Sequence, residues 1–517
     1  MDENHGTEID EQHLNSISRR IMREFDAEGK LPVNFTLEED ETPSKLNFVP
    51  GAMDGAGVHG HYTIENQKEA AAAVANFLLQ FFTTGNSGDL TRAAEILKEY
   101  RAITLIDSVL KDLRVTLRSI SADKVVGECL QIILYSEHME LVKVAIAMLG
   151  IFELGEMDVC VRLVSDMGVY EELTLYSVFA LQSWKNGNRY VFSLAQRVHG
   201  WGKIDAVEHL EPDSDEIREW IFMHGCSNSI MDAYLGLVCA RKGDLISVLR
   251  KPAISPEEYN GASIIIEALL DEGPTPGISV YEHSREAIIL FLAHSINHVN
   301  TLDLLRTILS VSEWLHDQNN DDYEEPRTAC LDIISKPIWK DMVISEITRN
   351  DDEVSLFVAV NVANRVGYDI SQELMTAVMK SPIKMCQYSR YLFGTREAAE
   401  RAVSVYEVLL PLDDMKNGMG DYLFSDFLRS EHMCLESLLQ ELRRYPLLGS
   451  ALIETGLQSK VIRMRNYACL AISAWTAATK TPLADLSPDL YRVLEMVGAH
   501  EVYDNLKVEI TRILSGA

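Results

Sequence analysis

The stretch of the chain that most resembles a reactive site is GAMDGAGVHGHYT, residues 51–63, in which Gly55, Gly57 and Gly60 spell G-x-G-x-x-G. In dinucleotide-binding proteins this spelling joins a strand to a helix, and the glycines let backbone N–H groups close around a pyrophosphate at the helix N-terminus. Here Pro50 precedes the stretch, the upstream candidate strand is the very short LNFV, and a convincing helical pattern begins only near Glu65. The ribose-binding acid expected about twenty residues further on falls in FLLQFFTT, which holds no carboxylate. The glycines therefore read as a tight loop folded against the first helices, with Asp54 capping a turn. If the stretch carries chemistry, Asp54, His59 and His61 are better placed to do it than the glycines. A carboxylate and two imidazoles can act as acid and base, and the histidines can ligate a metal.

A second constellation lies in QRVHGWGKIDAVEHLEPDSDEIREWIFMHGCSNS, residues 196–229. His209, Glu211 and His224 spell H-x-E…H, loosely the two-His, one-carboxylate set of non-haem iron sites. The structural reading of the same residues is a helix ending at Gly200, a second through KIDAVEHL, and a cap at Asp213 or Ser214. Asp215 and Glu216 then favour the dipole of the following helix, and Trp201 and Trp220 pack between helices. His294 and His298 stand four apart on one helix. Taking Ile289, Leu292, Ile296 and Val299 as its buried stripe puts both histidines on the opposite, polar side with His283. His283 lies about 16 Å further along the axis, too far to share an ion with them. The chain contains no G-x-x-x-x-G-K-[ST], H-E-x-x-H or G-x-S-x-G, and no paired E-x-x-H. Its eight cysteines show no C-x-x-C or other zinc-like spacing, and they fall in apolar helical contexts where a thiol behaves as a small hydrophobe.

The elements that would position these residues change character once along the chain. Residues 1–64 carry an acidic cluster, prolines and the glycine-rich stretch, and read as irregular. From residue 65 onward, apolar residues recur at three- and four-residue intervals, as in ENQKEAAAAVANFLLQFF, MELVKVAIAMLGIFEL and VIRMRNYACLAISAWTAAT. Such runs predict helices of roughly 10 to 20 residues joined by short turns. LVKVAIAMLG and LTLYSVFALQ overlay at an offset of 32, pairing Ile146 with Val178 and Leu149 with Leu181. The fold class expected is all-α: a HEAT/armadillo-like α-solenoid, a superhelix of stacked helix pairs, behind the irregular N-terminal segment. The loop NNDDYEEP, Asn319 to Pro326, is the expected seam between a first lobe at 65–318 and a second at 327–517.

The bulk numbers restrict the partners. With 47 Lys+Arg against 78 Asp+Glu, the formal net charge of −31 repels phosphate backbones and argues against nucleic acid. A local basic groove could still form, for example around Arg463 and Arg465. MDENHGTEIDEQ lacks the apolar core of a signal peptide, and no apolar run reaches the roughly 20 residues that span a bilayer. The expectation is a cytoplasmic protein without membrane insertion.

The run RVHGWGKIDAVEHLEP…IREWIFMHGCSNSIMDAYLGLVCARKGDL, together with VPGAMDGAGVHGH, resembles a family of uncharacterised HEAT-like helical proteins of Firmicutes, some members of which are labelled limonene hydroxylase. That resemblance implies bacterial origin and helical architecture. For the labelled members it implies oxidation of a small apolar monoterpene with NAD(P)H, with a flavin as a further cofactor. It assigns no residue a role. The leading expectation is an interaction scaffold that binds a protein partner, one with a basic surface, and needs no cofactor; the alternative is the NAD(P)H-dependent monooxygenase.

Overall fold

A computed structural model of the chain describes residues 15–37, 48–59, 67–273, 275–318, 323–349, 351–416 and 430–516. All regular structure among them is helical, with no strand. The chain divides into two compact units, Met1–Val299 with Ser310–Cys330, and Asn300–Leu309 with Leu331–Ala517. The sequence places the seam at residues 319–326. Residues 319–322 lie outside the described chain, and Tyr323 is buried with its ring 5.6 Å from Trp314, so the end of that loop packs within the first unit.

In the first unit the helices pair and the pairs pack in chain order. Ala122–Tyr135 packs on Met139–Leu149, Asp158–Met167 on Glu171–Gln182, and Gly187–Ala195 on Gly200–His209. The second helices of these three pairs pack in series, Met139–Leu149 on Glu171–Gln182 and that on Gly200–His209, and the line of contacts continues through Ala233–Lys242, Pro256–Leu270 and Ser284–His298. Ile146, Leu149, Val178 and Leu181, matched by the 32-residue overlay, are all fully buried on two helices that touch. Local signals set the boundaries. Ser255 accepts from the Glu258 N–H at 3.1 Å while the Glu258 carboxylate returns to the Ser255 N–H at 2.7 Å, with Pro256 at the first helical position. Ser214, of the two residues expected to cap, accepts from the Ile217 N–H at 3.3 Å.

Two expectations need correction. Among its described residues the N-terminal segment contains two short helices. Ile17–Met22 docks through Ile17 N–H to the Ser136 carbonyl at 3.1 Å and Ser18 Oγ to the Leu134 carbonyl at 2.7 Å. The second, Ala52–Val58, occupies the stretch read as a loop. On Ser284–His298 the buried residues are Ala287, Ile288, Phe291, Leu292 and Ser295, whereas Ile289 and Ile296 are exposed. Aromatic stacking sets this rotation: Phe291 lies 4.8 Å from the Tyr259 ring at an interplanar angle of 4°. His298 stacks on Tyr259 at 4.9 Å, and His294 Nε2 meets the Leu249 carbonyl at 3.0 Å, so both histidines face packed neighbours.

In the second unit Ser450–Leu457 and Ile462–Thr479 pair, as do Pro488–His500 and Asp504–Ser515, first helix on first and second on second. The Trp475 indole donates to the Leu442 carbonyl at 2.7 Å, and in the first unit Trp184 does the same to Leu149 at 3.4 Å. In both units a tryptophan thereby satisfies the last carbonyl of an earlier helix. Arg465 and Glu501, both fully buried, form a two-pronged pair at 2.7 and 2.9 Å. Arg463 is paired with Glu436, so both arginines of the candidate basic groove are engaged by carboxylates.

Arg465→Met leaves the Glu501 carboxylate buried without its cation and is expected to cost about 3–5 kcal/mol. Arg465→Met/Glu501→Leu should recover most of that loss. Differential scanning calorimetry of both variants checks this, and a double variant as unstable as the single one overturns it.

Candidate functional site

The largest concentration of buried charge surrounds Lys143. This residue sits inside an apolar helix in which every position from Leu141 to Leu149 is buried, and its own side chain is 0% exposed. An ammonium there must satisfy three donors without water. Asp54 Oδ2 at 2.8 Å, Glu140 Oε1 at 3.0 Å and Glu172 Oε2 at 2.6 Å take all three. Glu140 and Glu172 lie in the first turns of Met139–Leu149 and Glu171–Gln182, where helix dipoles favour carboxylates. Arg101, at the junction of Ser87–Tyr100 and Ala102–Thr116 with φ +63°, reaches the same three carboxylates at 3.3–3.5 Å.

The three carboxylates also accept from neighbouring groups. Glu140 accepts from the Ala102 N–H at 2.6 Å, Glu172 from the Gly51 N–H at 3.0 Å, and Asp54 from the Tyr176 hydroxyl at 3.0 Å. Burial opposes the Lys143 charge, but Glu140, Glu172 and Asp54 outweigh it and push its pKa up. Burial opposes the Glu172 charge as well, yet Lys143 holds that carboxyl below its usual range. Burial pushes Asp54 up against the pull of Lys143. A lysine held this firmly protonated is no nucleophile; the cluster clasps residues 51–54 onto the helices.

Behind the clasp, Gly55 faces Trp201: a Cβ at Gly55 would lie 2.2 Å from the indole ring. The Gly55 N–H is spent on the Gly51 carbonyl at 2.8 Å, and Gly57 lies in the same helix. A phosphate cradle needs free N–H groups and open space beside the glycines, so Gly55 and Gly57 do not fit a nicotinamide or flavin dinucleotide. Gly60 and His61 lie outside the described residues. His59 follows the helix, and its ring stands 4.8 Å from Tyr234 and 5.9 Å from Trp201, a setting unlike the ionic one of Asp54.

Trp201 is fixed in turn by Glu171, whose Oε2 accepts its backbone N–H at 2.9 Å. The carboxyl comes so close that a Cβ on Gly200, which has φ +50°, would lie 2.1 Å from it. Burial pushes Glu171 up to about 7 against that hydrogen bond, and burial pushes Glu208 up to about 7 against nearby Lys242. Asp205, on the Trp201 helix, is pushed well above its usual range by burial and by Glu208.

The three candidate metal ligands have separate partners. His209 Nδ1 donates to the Asp205 carbonyl at 2.8 Å, Glu211 pairs with Lys242 at 3.2 Å, and the His224 ring stands 6.4 Å from Trp220. Among the described residues, no group of three or more His, Cys, Asp or Glu is placed to hold a metal ion. All eight cysteines are buried and unbridged. The sequence reading singled out Asp54 but missed Arg101, Glu140, Lys143, Glu172 and Tyr176. The available signal was a lone lysine inside LVKVAIAMLG, since a charge on a buried helix face needs partners. Compared with family models, curated proteins and solved structures, the chain matches none.

Lys143→Met leaves Arg101 alone against three carboxylates and is expected to destabilise the first unit by about 3–5 kcal/mol. It should also raise amide exchange at residues 51–58, read by mass spectrometry; unchanged exchange there overturns the clasp. A second expectation concerns pH. Between about 4.5 and about 7 the unfolded chain has released the Glu171 proton and the folded one has not, so rising pH lowers stability across that window. Glu171→Gln keeps an acceptor for Trp201 and has no proton to lose. Its melting temperature relative to the parent should therefore rise between about pH 5 and pH 7.5, and a pH-independent difference refutes the assignment.

Proposed function

We propose that the chain is a HEAT-like α-solenoid of the cytoplasm that docks a protein partner bearing a basic surface. The observation that carries this reading is the succession of helix packing in the first unit. Met139–Leu149, Glu171–Gln182 and Gly200–His209, the second helices of three pairs, pack each on the next, and the line of contacts continues to Ser284–His298. Side-chain bonds tie neighbouring pairs at similar sequence spacings: Lys143 to Glu172, Arg197 to Asp166, Tyr190 to Gly155 and Arg250 to Glu286 are 29, 31, 35 and 36 residues apart. Arrays of this kind bury one continuous core and leave an extended face for recognition.

Charge supports the class of partner. The loops that follow Met139–Leu149, Gly200–His209 and Pro256–Leu270 expose Glu153 and Glu156, then Glu211 and Asp213, then Asp271 and Glu272. Against a net charge of −31, a basic protein surface is the complementary one. No helix of the described residues is long and apolar enough to cross a membrane.

The test is affinity capture from the native host with the full chain and with Glu156→Lys/Asp213→Lys/Asp271→Lys, which changes three exposed loops. A partner held by the parent should bind the variant about tenfold more weakly, a difference of about 1.4 kcal/mol. It should also be released as salt is raised. Equal capture by both chains overturns the proposed surface. Limonene-dependent oxidation of NAD(P)H by the purified chain overturns the scaffold reading in favour of a monooxygenase.

A further inference from the structure

Lys203 is the counterpart of Lys143 without its carboxylates. It lies in the first turn of Gly200–His209, with its N–H bonded to the His199 carbonyl at 2.9 Å. Among the described residues no carboxylate pairs with its amine, although the chain holds 78 Asp+Glu; its side-chain contact is the face of Trp220, 4.4 Å from Nζ to the ring centroid. Lys203 borders a cleft of about 270 Å³ lined by Val198, His199, Lys203, Ser227, Asn228 and Ser229. The opposite wall is a pre-set loop. The Asn228 side chain accepts from the Ile230 and Met231 N–H groups at 2.9 and 2.8 Å and donates to the Cys226 and Met231 carbonyls, while its backbone N–H bonds Asp232. Ser227 and Ser229 are exposed at the mouth of the cleft, and their hydroxyls make no hydrogen bond to the described residues.

We propose that this cleft binds a small 2-oxo acid, whose carbonyl carbon condenses with the Lys203 amine while the Ser227 and Ser229 hydroxyls hold its carboxylate. The cleft lies below the usual volume of a site for a drug-sized ligand, which suits a compact metabolite of a few carbon atoms. Burial and a neighbouring cation favour the neutral, nucleophilic amine. Burial comes first, and Lys30 adds a like charge; together they lower the Lys203 pKa to about 8. A cation in the first turn also opposes the helix dipole. Cys226 and Cys239 would raise the pKa only as thiolates, and the Cys226 pKa is pushed up by its hydrogen bond to Cys239 and by burial, which keeps that thiol neutral. His199 is held below its usual value by burial, Lys203 and Lys30, leaving a neutral imidazole at neutral pH.

The reaction needs no redox partner. The amine lone pair attacks the carbonyl carbon and forms the C–N bond, and the oxygen takes up a proton. The carbinolamine then loses its hydroxyl as water while nitrogen gives up its second proton. As a neutral imidazole His199 first takes the proton released by nitrogen and then returns it to the departing hydroxyl. Amine and carbonyl are converted to imine and water.

The test uses the purified full chain with pyruvate and cyanoborohydride, which reduces the imine to a stable secondary amine located by peptide mass spectrometry. An ordinary lysine has a pKa near 10.4, so at neutral pH Lys203 holds roughly a hundredfold more free amine. Labelling of Lys203 at least about tenfold faster than other lysines, with a midpoint near pH 8, supports the proposal. Lys203→Arg keeps a cation over Trp220 and should lose the fast label. Ser227→Ala/Ser229→Ala should remove the preference for pyruvate over acetone without abolishing labelling by acetone. Uniform labelling of all lysines overturns the reactive amine, and equal labelling by acetone and pyruvate in the parent overturns the carboxylate contact.

Discussion

A fully buried ammonium is tolerated only where its charge and all three of its donors are met inside the protein, and Lys143 imposes that condition on the first unit. Removing such an ion from water costs several kcal/mol after relaxation, so its partners must come close and stay close. Two of them, Glu140 and Glu172, occupy first turns of adjacent helices, and the third, Asp54, comes from the N-terminal segment. Meeting the requirement therefore fixes the spacing of two neighbouring helices and the docking of a remote stretch of chain at once. Gly51 and Gly55 belong to the same arrangement: one supplies an N–H to Glu172, and the other lets its helix lie directly on Trp201.

The clasp and the helix packing support one another. Glu172 begins Glu171–Gln182, and its neighbour Glu171 holds the backbone of Trp201 at the start of Gly200–His209. Trp201 forms the floor under Gly55 and also meets Tyr234 at 5.1 Å, on the next helix of the series. A chain of contacts thus runs from Asp54 through three successive helices. Arg465 and Glu501 play a comparable part in the second unit, joining residues 36 apart with both charges buried. Such pairs add less to net stability than their geometry suggests, because desolvation offsets much of the attraction; they reject alternative registers in which either charge would be stranded.

What could be read from the sequence was what depends on near neighbours. Helical periodicity is local, so the all-α body and the fully buried Ile146, Leu149, Val178 and Leu181 were legible. Ser214 was readable as a cap because the group it binds lies three residues away. Ala52–Val58 was not, because its helix is held by residues 50 to 150 positions downstream rather than by helix-forming side chains. The rotation of Ser284–His298 failed for a related reason. Its buried stripe was counted from aliphatic spacing, but the face is chosen by Tyr259 on another helix. G-x-G-x-x-G already lacked the upstream strand and distal acid of a phosphate site in the sequence; what could not be read was that Gly55 admits an indole from a distant helix.

Lys143 and Lys203 show how far the surroundings, rather than the residue type, decide chemistry. Both lose water to helix packing, and both stand in chain segments that sequence periodicity marks as helical. Around Lys143 three carboxylates compensate the lost hydration, so the proton is retained and the amine is inert. Around Lys203 the compensation is an aromatic face, worth about 2 kcal/mol or less, opposed by the helix dipole and Lys30. That is too little to offset burial, and shedding the proton becomes the favoured outcome once pH rises past about 8. The same fold thus builds one lysine into a structural tie and leaves another, beside two unpartnered hydroxyls, in the state from which an amine reacts.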